Sequence, residues 1–306
     1  MLRARPFFDR EANAWHARRA GFDAFPACAT MADLQRKANL AGLIHRIEAI
    51  FGRAKRYLNP IESVEFKVFQ YWDVDLPDDI RSWTETVKAR SDQIGYRLLD
   101  KTAARDFIHH SHGRRYVRAF DSCALPAMQA DLLRLCLMHA VGGLWIDAGY
   151  ECALPLGSFL HQTGETFVPA VRGLFYNGVL MFRKPGNAFI GQCLELAIDN
   201  IENRRCTKVV VATGPGVFNA IRWVLDRRWR RSLKIHARVL GWDKWGWQGL
   251  VSRATHIVRP TPALLTAYEG LTSFSPTQLD PWLTPRFGEY KSKPTYWHRW
   301  DQNIYT

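Results

Sequence analysis

The stretch at 129–155, QADLLRLCLMHAVGGLWIDAGYECALP, constrains this chain most. Leu132, Leu133, Leu135, Cys136, Leu137 and Met138 are too dense for a helix with one wet face, so the spacing predicts a helix over 127–140 buried around most of its circumference. Gly142 and Gly143 end it, because glycine tolerates the left-handed backbone that closes a helix. Leu144, Trp145 and Ile146 follow as an apolar run suited to a buried strand. Asp147 therefore arrives at the carboxyl end of a core strand, the edge where open α/β sheets bind ligands. Asp131 and Arg134 stand three apart and share a helix face, where they either pair with each other or point together at a ligand. A structural ion pair, and a solvated turn carboxylate for Asp147, are the commoner outcomes of such spacing.

The rest of the chain supplies further strands and helices. The run over 65–72 reads as a first strand, ending at Gln70, Tyr71, Trp72 and Asp73. An aromatic at such an edge can stack a nucleotide base, worth about 1–3 kcal/mol, or serve as core. Pro77 opens a helix with Ile80, Trp83 and Val87, and 96–99 reads as the next strand. The runs at 167–171 and 178–182 suit strands, with Asn177-Gly178 as a possible hairpin turn between them. A helix is expected over 187–203. The segment 208–213, KVVVAT, with Gly214-Pro215-Gly216 imitates a dinucleotide-binding entrance, but Asn219 replaces the third glycine and no ribose-binding acid follows. His109, His110 and His112 fall in a polar stretch, HHSHGRR, read as a loop with nothing to fix them and with Arg114 and Arg115 disfavouring a cation; they are discounted as a metal site. The fold class is α/β.

Charge narrows the partners. The 306 residues carry a formal net charge of +13, which favours anions such as nucleotide diphosphates, acidic polymers, nucleic acid or anionic lipid. Residues 1–60 hold 11 Lys and Arg against 5 Asp and Glu. Within them Leu40, Leu43, Ile44, Ile47, Ile50 and Phe51 recur at helical spacing, as in a basic amphipathic helix that either packs on its own domain or lies on a membrane. The basic run Arg227 to Arg231 suits a polyanion or a solvated helix end. Six cysteines show neither zinc nor disulfide spacing, so a reducing, cytoplasmic setting is expected. No run is long and apolar enough to span a membrane.

The run A-D-L-L-R, then L, H and G-G-L-W-I-D-A, resembles capsular-polysaccharide-type and mannosyltransferase-like glycosyltransferases with a DXD sugar-binding region. The strand FKVFQYW, the segment 80–99, the turn Thr213-Gly214-Pro215 and the C-terminal WHRW are similar to further family segments in the same order. The resemblance covers about 64–306. It implies the GT-A, or nucleotide-diphospho-sugar transferase, fold: a mixed, mainly parallel sheet flanked by helices over 61–306, behind a basic helical extension over 1–60.

The resemblance also implies a function and its residues. A sugar passes from a nucleotide-sugar donor to a saccharide or lipid-linked acceptor in capsule-type polysaccharide synthesis, with retention of configuration and possible peripheral contact with an anionic membrane; no nucleic acid is expected. Asp131, Arg134 and Asp147 are the expected catalytic residues, with Asp131 and Arg134 on the donor sugar hydroxyls. Tyr71, Trp72, Asn177 and Ala148 are expected at the donor. A divalent metal, Mn²⁺ or Mg²⁺, is expected on Asp147 and His298, with Glu151 a weaker ligand. The chain departs from the family where Gly149 replaces the second acidic residue of the motif. A degenerate member that binds polyanions or nucleic acid without catalysis is the alternative, and it predicts salt-sensitive binding that ignores nucleotide sugars.

Overall fold

Alternation along three short strands decides the layering. Val68, Leu144, Ile146, Val179 and Met181 are buried in one apolar cluster, while Phe69, Tyr71, Trp145, Leu180 and Phe182 are buried in another. Successive side chains of a strand point to opposite faces. Strands that bury both sets must be covered on both sides, which gives three layers.

The computed structural model describes residues 66–91, 94–171, 173–292, 296 and 303–306, within one contact unit, Val64–Thr306. The expected amphipathic helix near Leu40 and the WHRW segment with His298 lie outside the described residues. The strands are β1 (Val68–Tyr71), β2 (Tyr96–Leu99), β3 (Gly143–Ile146), β4 (Tyr150–Cys152), β5 (Thr166–Phe167), β6 (Ala170–Val171), β7 (Leu174–Phe175), β8 (Val179–Phe182) and β9 (Leu283–Pro285). Among the described residues the main sheet runs β2-β1-β3-β8-β5. β1 is parallel to both β2 and β3, and β8 is antiparallel to both β3 and β5. The fold is a mixed α/β sheet flanked by helices, but the sheet is half parallel rather than mainly parallel. Between β3 and its antiparallel partner β8 the chain passes through β4, a short helix (Leu156–Gln162) and β5 to β7.

Helix α1 (Asp78–Arg90) makes the crossover from β1 to β2, and α2 (Lys101–His112) follows β2. The central helix α3 (Pro126–Ala140) starts with proline at its first turn, where the missing N–H costs nothing, and buries an unbroken run from Leu132 to Met138. It packs against α4 (Ala188–Glu202), which Asn187 caps by accepting from the backbone N–H groups of Phe189 and Ile190. Gly142 and Gly143 turn the chain from α3 into β3 with φ of +73° and +112°. A side chain on either would meet backbone within 2.7 Å, at Phe182 O or Lys67 O. The sharp turn therefore needs both glycines.

Three local expectations are corrected. His109, His110 and His112 are on the last turns of α2, which Ala104 and Ile108 anchor in the core; the apolar face is too sparse to show through the polar run. The KVVVAT segment forms a short helix, Val209–Ala212, before α5 (Pro215–Leu225); its valines are buried against other helices, with no strand partner among the described residues. The 167–171 run is split by Pro169 into β5 and β6, and β6 pairs with β7, so the hairpin precedes Asn177 rather than turning at it.

Candidate active site

Because β1 and β3 are parallel and adjacent, their carboxyl ends share one edge of the sheet. Asp147 leaves β3 there. Its backbone N–H donates to Gly178 O at 2.8 Å, and its carbonyl accepts from the buried Gln70 Nε2 at 3.3 Å. Two residues back on the same face, the indole of Trp145 donates to Asp147 Oδ1 at 2.8 Å. The carboxylate is thus held by the strand that delivers it.

Helix α3 closes the site from one face of the sheet. Arg134 lies with its guanidinium carbon 5.1 Å from the Trp145 ring centre, and its Nη2 bridges Asp131 Oδ1 and Asp147 Oδ1, each at 3.0 Å. Nη1 donates to the carbonyl of Asn177 and Nε to Ala130 O at 3.3 Å. Asp131 also accepts from Asn177 Nδ2 at 2.9 Å and from the Thr213 hydroxyl at 3.0 Å. The intrahelical pair expected from spacing is therefore present, within a network that ties α3, β3 and two loops together. Asp131 and Arg134 are only 6% and 4% exposed, with protein partners on both carboxylate oxygens and all three guanidinium nitrogens. Such charges persist in a core only when paired and hydrogen-bonded. Burial still pushes the Asp131 carboxyl up to about 6, against the opposing pull of Arg134.

Asp147 differs: its side chain is 39% exposed. Oδ2 accepts no hydrogen bond among the described residues, and a methyl group on Gly178 would stand 3.1 Å from it and 3.3 Å from the Tyr150 hydroxyl. The glycine leaves that oxygen open. The site thus joins a closed charged network to one carboxylate oxygen facing outward.

The structure brings Asp131, Arg134, Asp147 and Asn177 together. Ala148 is buried in the turn that follows Asp147. Trp72 is half-buried just past β1, its indole donating to Asp75 O at 3.1 Å. Tyr71 is not at an open surface: its ring is in the core and its hydroxyl donates to Gln129 Oε1 at 2.9 Å. A ring committed to the core offers no face for a base, so the expectation for Tyr71 is corrected to support of the edge. Glu151 also departs from expectation. The turn at 148–149 breaks the strand alternation, and Glu151 on β4 pairs with Arg286, whose Nε donates to it at 2.7 Å. Asp131 and Arg134 have protein partners at their charged atoms and are tied to Asp147 through Arg134 Nη2.

Two residues enter that spacing did not single out. Thr213, in the Thr213-Gly214-Pro215 turn, holds Asp131, and a methyl group on Gly214 would stand 3.3 Å from Asp131 Oδ2. Lys291 comes from far along the chain because β9 pairs with β4 and Arg286 N–H donates to Gly149 O at 2.8 Å. Burial lowers the Lys291 ammonium, and the Asp147 carboxylate opposes that shift. The basic character of 286–293 was its one signal in sequence.

Residues 43–168 match the family model described as capsular polysaccharide synthesis protein. No curated protein matches the chain. Among solved structures, the PaToxG glycosyltransferase is similar at 13% identity with a TM-score of 0.37, over 74% of this chain and 96% of that chain. The matched segment includes α3, β3 and Asp147, which carry the site. The resemblance seen in A-D-L-L-R and G-G-L-W-I-D-A falls within the matched segment, which is similar to the capsular polysaccharide synthesis family.

Proposed function

We propose that the chain transfers a sugar from a nucleotide-diphosphate donor to a saccharide or lipid-linked acceptor in surface-polysaccharide synthesis, with retention, in the cytoplasm. The proposal takes 61–306 as a catalytic domain of GT-A type behind a basic extension over 1–60. The observation that carries it is the buried Arg134 bridge from Asp131 to Asp147 at the carboxyl edge of β3. A surface ion pair would be cheap and common. A buried one that fixes a half-exposed carboxylate beside a glycine gap suits a preorganised site.

In this reading Asp147 takes the donor through Oδ2, and Arg134, Asp131 and Asn177 hold its orientation. Trp72, just past β1 at the same edge, is the aromatic proposed to meet the base. Charge that develops on the leaving diphosphate needs cations; Lys291 is one at that edge. The described residues offer a divalent cation one open carboxylate oxygen and contain no group of three acidic, histidine or cysteine side chains placed to hold it. Glu151 does not fit, being bound to Arg286. Asp147 and His298 would hold the Mn²⁺ or Mg²⁺, which would offset charge on the leaving diphosphate.

A transfer assay tests the proposal. Purified protein is incubated with UDP- and GDP-sugars and saccharide acceptors, and product and released nucleotide are followed by mass spectrometry and NMR. Nucleotide release coupled to a glycoside of unchanged anomeric configuration, lost in Asp147→Ala with folding intact, is the expected result. Nucleotide-sugar turnover equal in wild type and Asp147→Ala would overturn the assignment of the site. No turnover together with tight, salt-sensitive polyanion binding would favour the degenerate binder.

A further inference from the structure

Helix α6 (Arg230–Val239) follows α5 and holds on to the core with one narrow stripe, Leu233 and Ala237, each 1% exposed. On the other side Ile235 and Val239, one turn apart, are 54% and 77% exposed, and Leu240 just beyond is 42% exposed. Helical residues advance by about 100° each, so Arg231 and Arg238 stand beside Ile235, with Lys234 next to them. A shallow cavity of about 260 Å³ lies among Lys234, Ile235, Arg238 and Val239.

Charge around this face has one sign. Between Asp226 and Asp243 there are six Lys and Arg and no acidic residue. Arg228 is neutralised by Asp226 and Arg230 donates to Trp223 O. Arg231, Lys234 and Arg238 are exposed and form no ion pair among the described residues. Single exposed aliphatics are ordinary on a protein surface. Three within six residues with cations beside them, on and just past a helix that uses only two residues to hold the core, are a different arrangement.

A nucleic acid would reward cations and stacking rings, yet the exposed face of α6 carries aliphatic side chains. A second copy of the chain would bring the same excess positive charge to the contact. An anionic bilayer rewards both components, phosphates for the cations and the acyl boundary for the aliphatics. We propose that α6 lies on an anionic lipid surface, with Ile235, Val239 and Leu240 at the acyl boundary and Arg231, Lys234 and Arg238 on lipid phosphates. The inference stands apart from the transferase reading and from the basic extension over 1–60.

Sedimentation of the full chain with vesicles tests it. Wild type is expected to bind vesicles of phosphatidylglycerol and phosphatidylcholine, to bind pure phosphatidylcholine weakly, and to be released by salt. Ile235→Ser with Val239→Ser should lower the partition coefficient about tenfold or more, and Arg231→Glu, Lys234→Glu and Arg238→Glu together about a hundredfold. Both variants change exposed residues, and their melting temperatures should match wild type. Absence of wild-type binding overturns the proposal, as does binding unchanged in both variants, which would place the membrane contact elsewhere. Loss only in the charge variant, with single-stranded RNA competing equally, would make α6 a polyanion surface. Loss of self-association in the serine variant, seen by sedimentation velocity, would make it a subunit contact.

Discussion

Arg134 shows what one buried cation does for its neighbours. Its Nη2 serves Asp131 and Asp147 together, so removing it strands a charge in the core. Arg134→Ala should cost about 3–5 kcal/mol in denaturant unfolding, the range for breaking a buried pair; a loss of about 0.5 kcal/mol or less would mean that water reaches the network. Arg134→Lys keeps the charge but not the fork that reaches two carboxylates, so it should recover only part of the stability and little activity. Asp131 adds a pH dependence. Its carboxyl is raised from 3.8 to about 6 in the folded protein, so the native state binds more protons than the unfolded chain across that window. Its stabilising contribution is therefore full at low pH and is lost as pH rises through about 6. Activity should run the opposite way, because protonation weakens the hold on Arg134: turnover should fall below pH about 6. In Asp131→Asn that acid limb should disappear from the rate profile; an identical limb in the variant would assign it to another group.

Elements show where sequence spoke clearly and where it did not. Helix α3, the Gly142-Gly143 turn, β3 and the position of Asp147 were legible because dense leucines, two glycines and an apolar strand are local signals. Gly142→Ala should destabilise by about 1–3 kcal/mol, since a side chain there meets Phe182 O at 2.5 Å in a left-handed backbone; a neutral substitution would mean the turn relaxes. What was not legible depends on pairings made across the chain. Tyr71 reads as an open edge aromatic until α3 supplies Gln129 to it, and Glu151 reads as a ligand until β9 brings Arg286. Lys291 sits in a basic stretch, and only the pairing of β9 with β4 brings that stretch to the site. The histidines of α2 looked like loop because Ala104 and Ile108 are its only fully buried side chains. His112 packs on His139 with ring nitrogens 3.3 Å apart, and burial with that neighbour pulls it from 6.5 down to about 4, against a weaker opposing pull from Glu195. The unfolded chain then binds more protons between those values, so this contribution to stability is lost as pH falls from 6.5 towards 4. Melting temperature followed over that range should drop less in His112→Gln than in wild type; equal slopes would remove His112 as the cause.

At the scale of the molecule, a net charge of +13 and a sheet edge with one exposed carboxylate must be reconciled. The excess charge suits the anionic donor and anionic surface proposed above, and in that proposal Asp147 supplies the specific contact that charge alone lacks. No helix among the described residues is long and apolar enough to cross a membrane, and the lipid contact proposed above lies on the exposed face of α6. The family match over 43–168 reaches across the site but stops before Asn177, Thr213 and Lys291. The most direct test of the central claim, that Asp147 is the donor contact held by the Arg134 bridge, is calorimetric titration with UDP, GDP and their sugar conjugates, with and without Mn²⁺. The account predicts saturable binding of one nucleotide class in wild type, abolished in Asp147→Ala while the melting temperature is kept. Binding of the same affinity in the variant would contradict it.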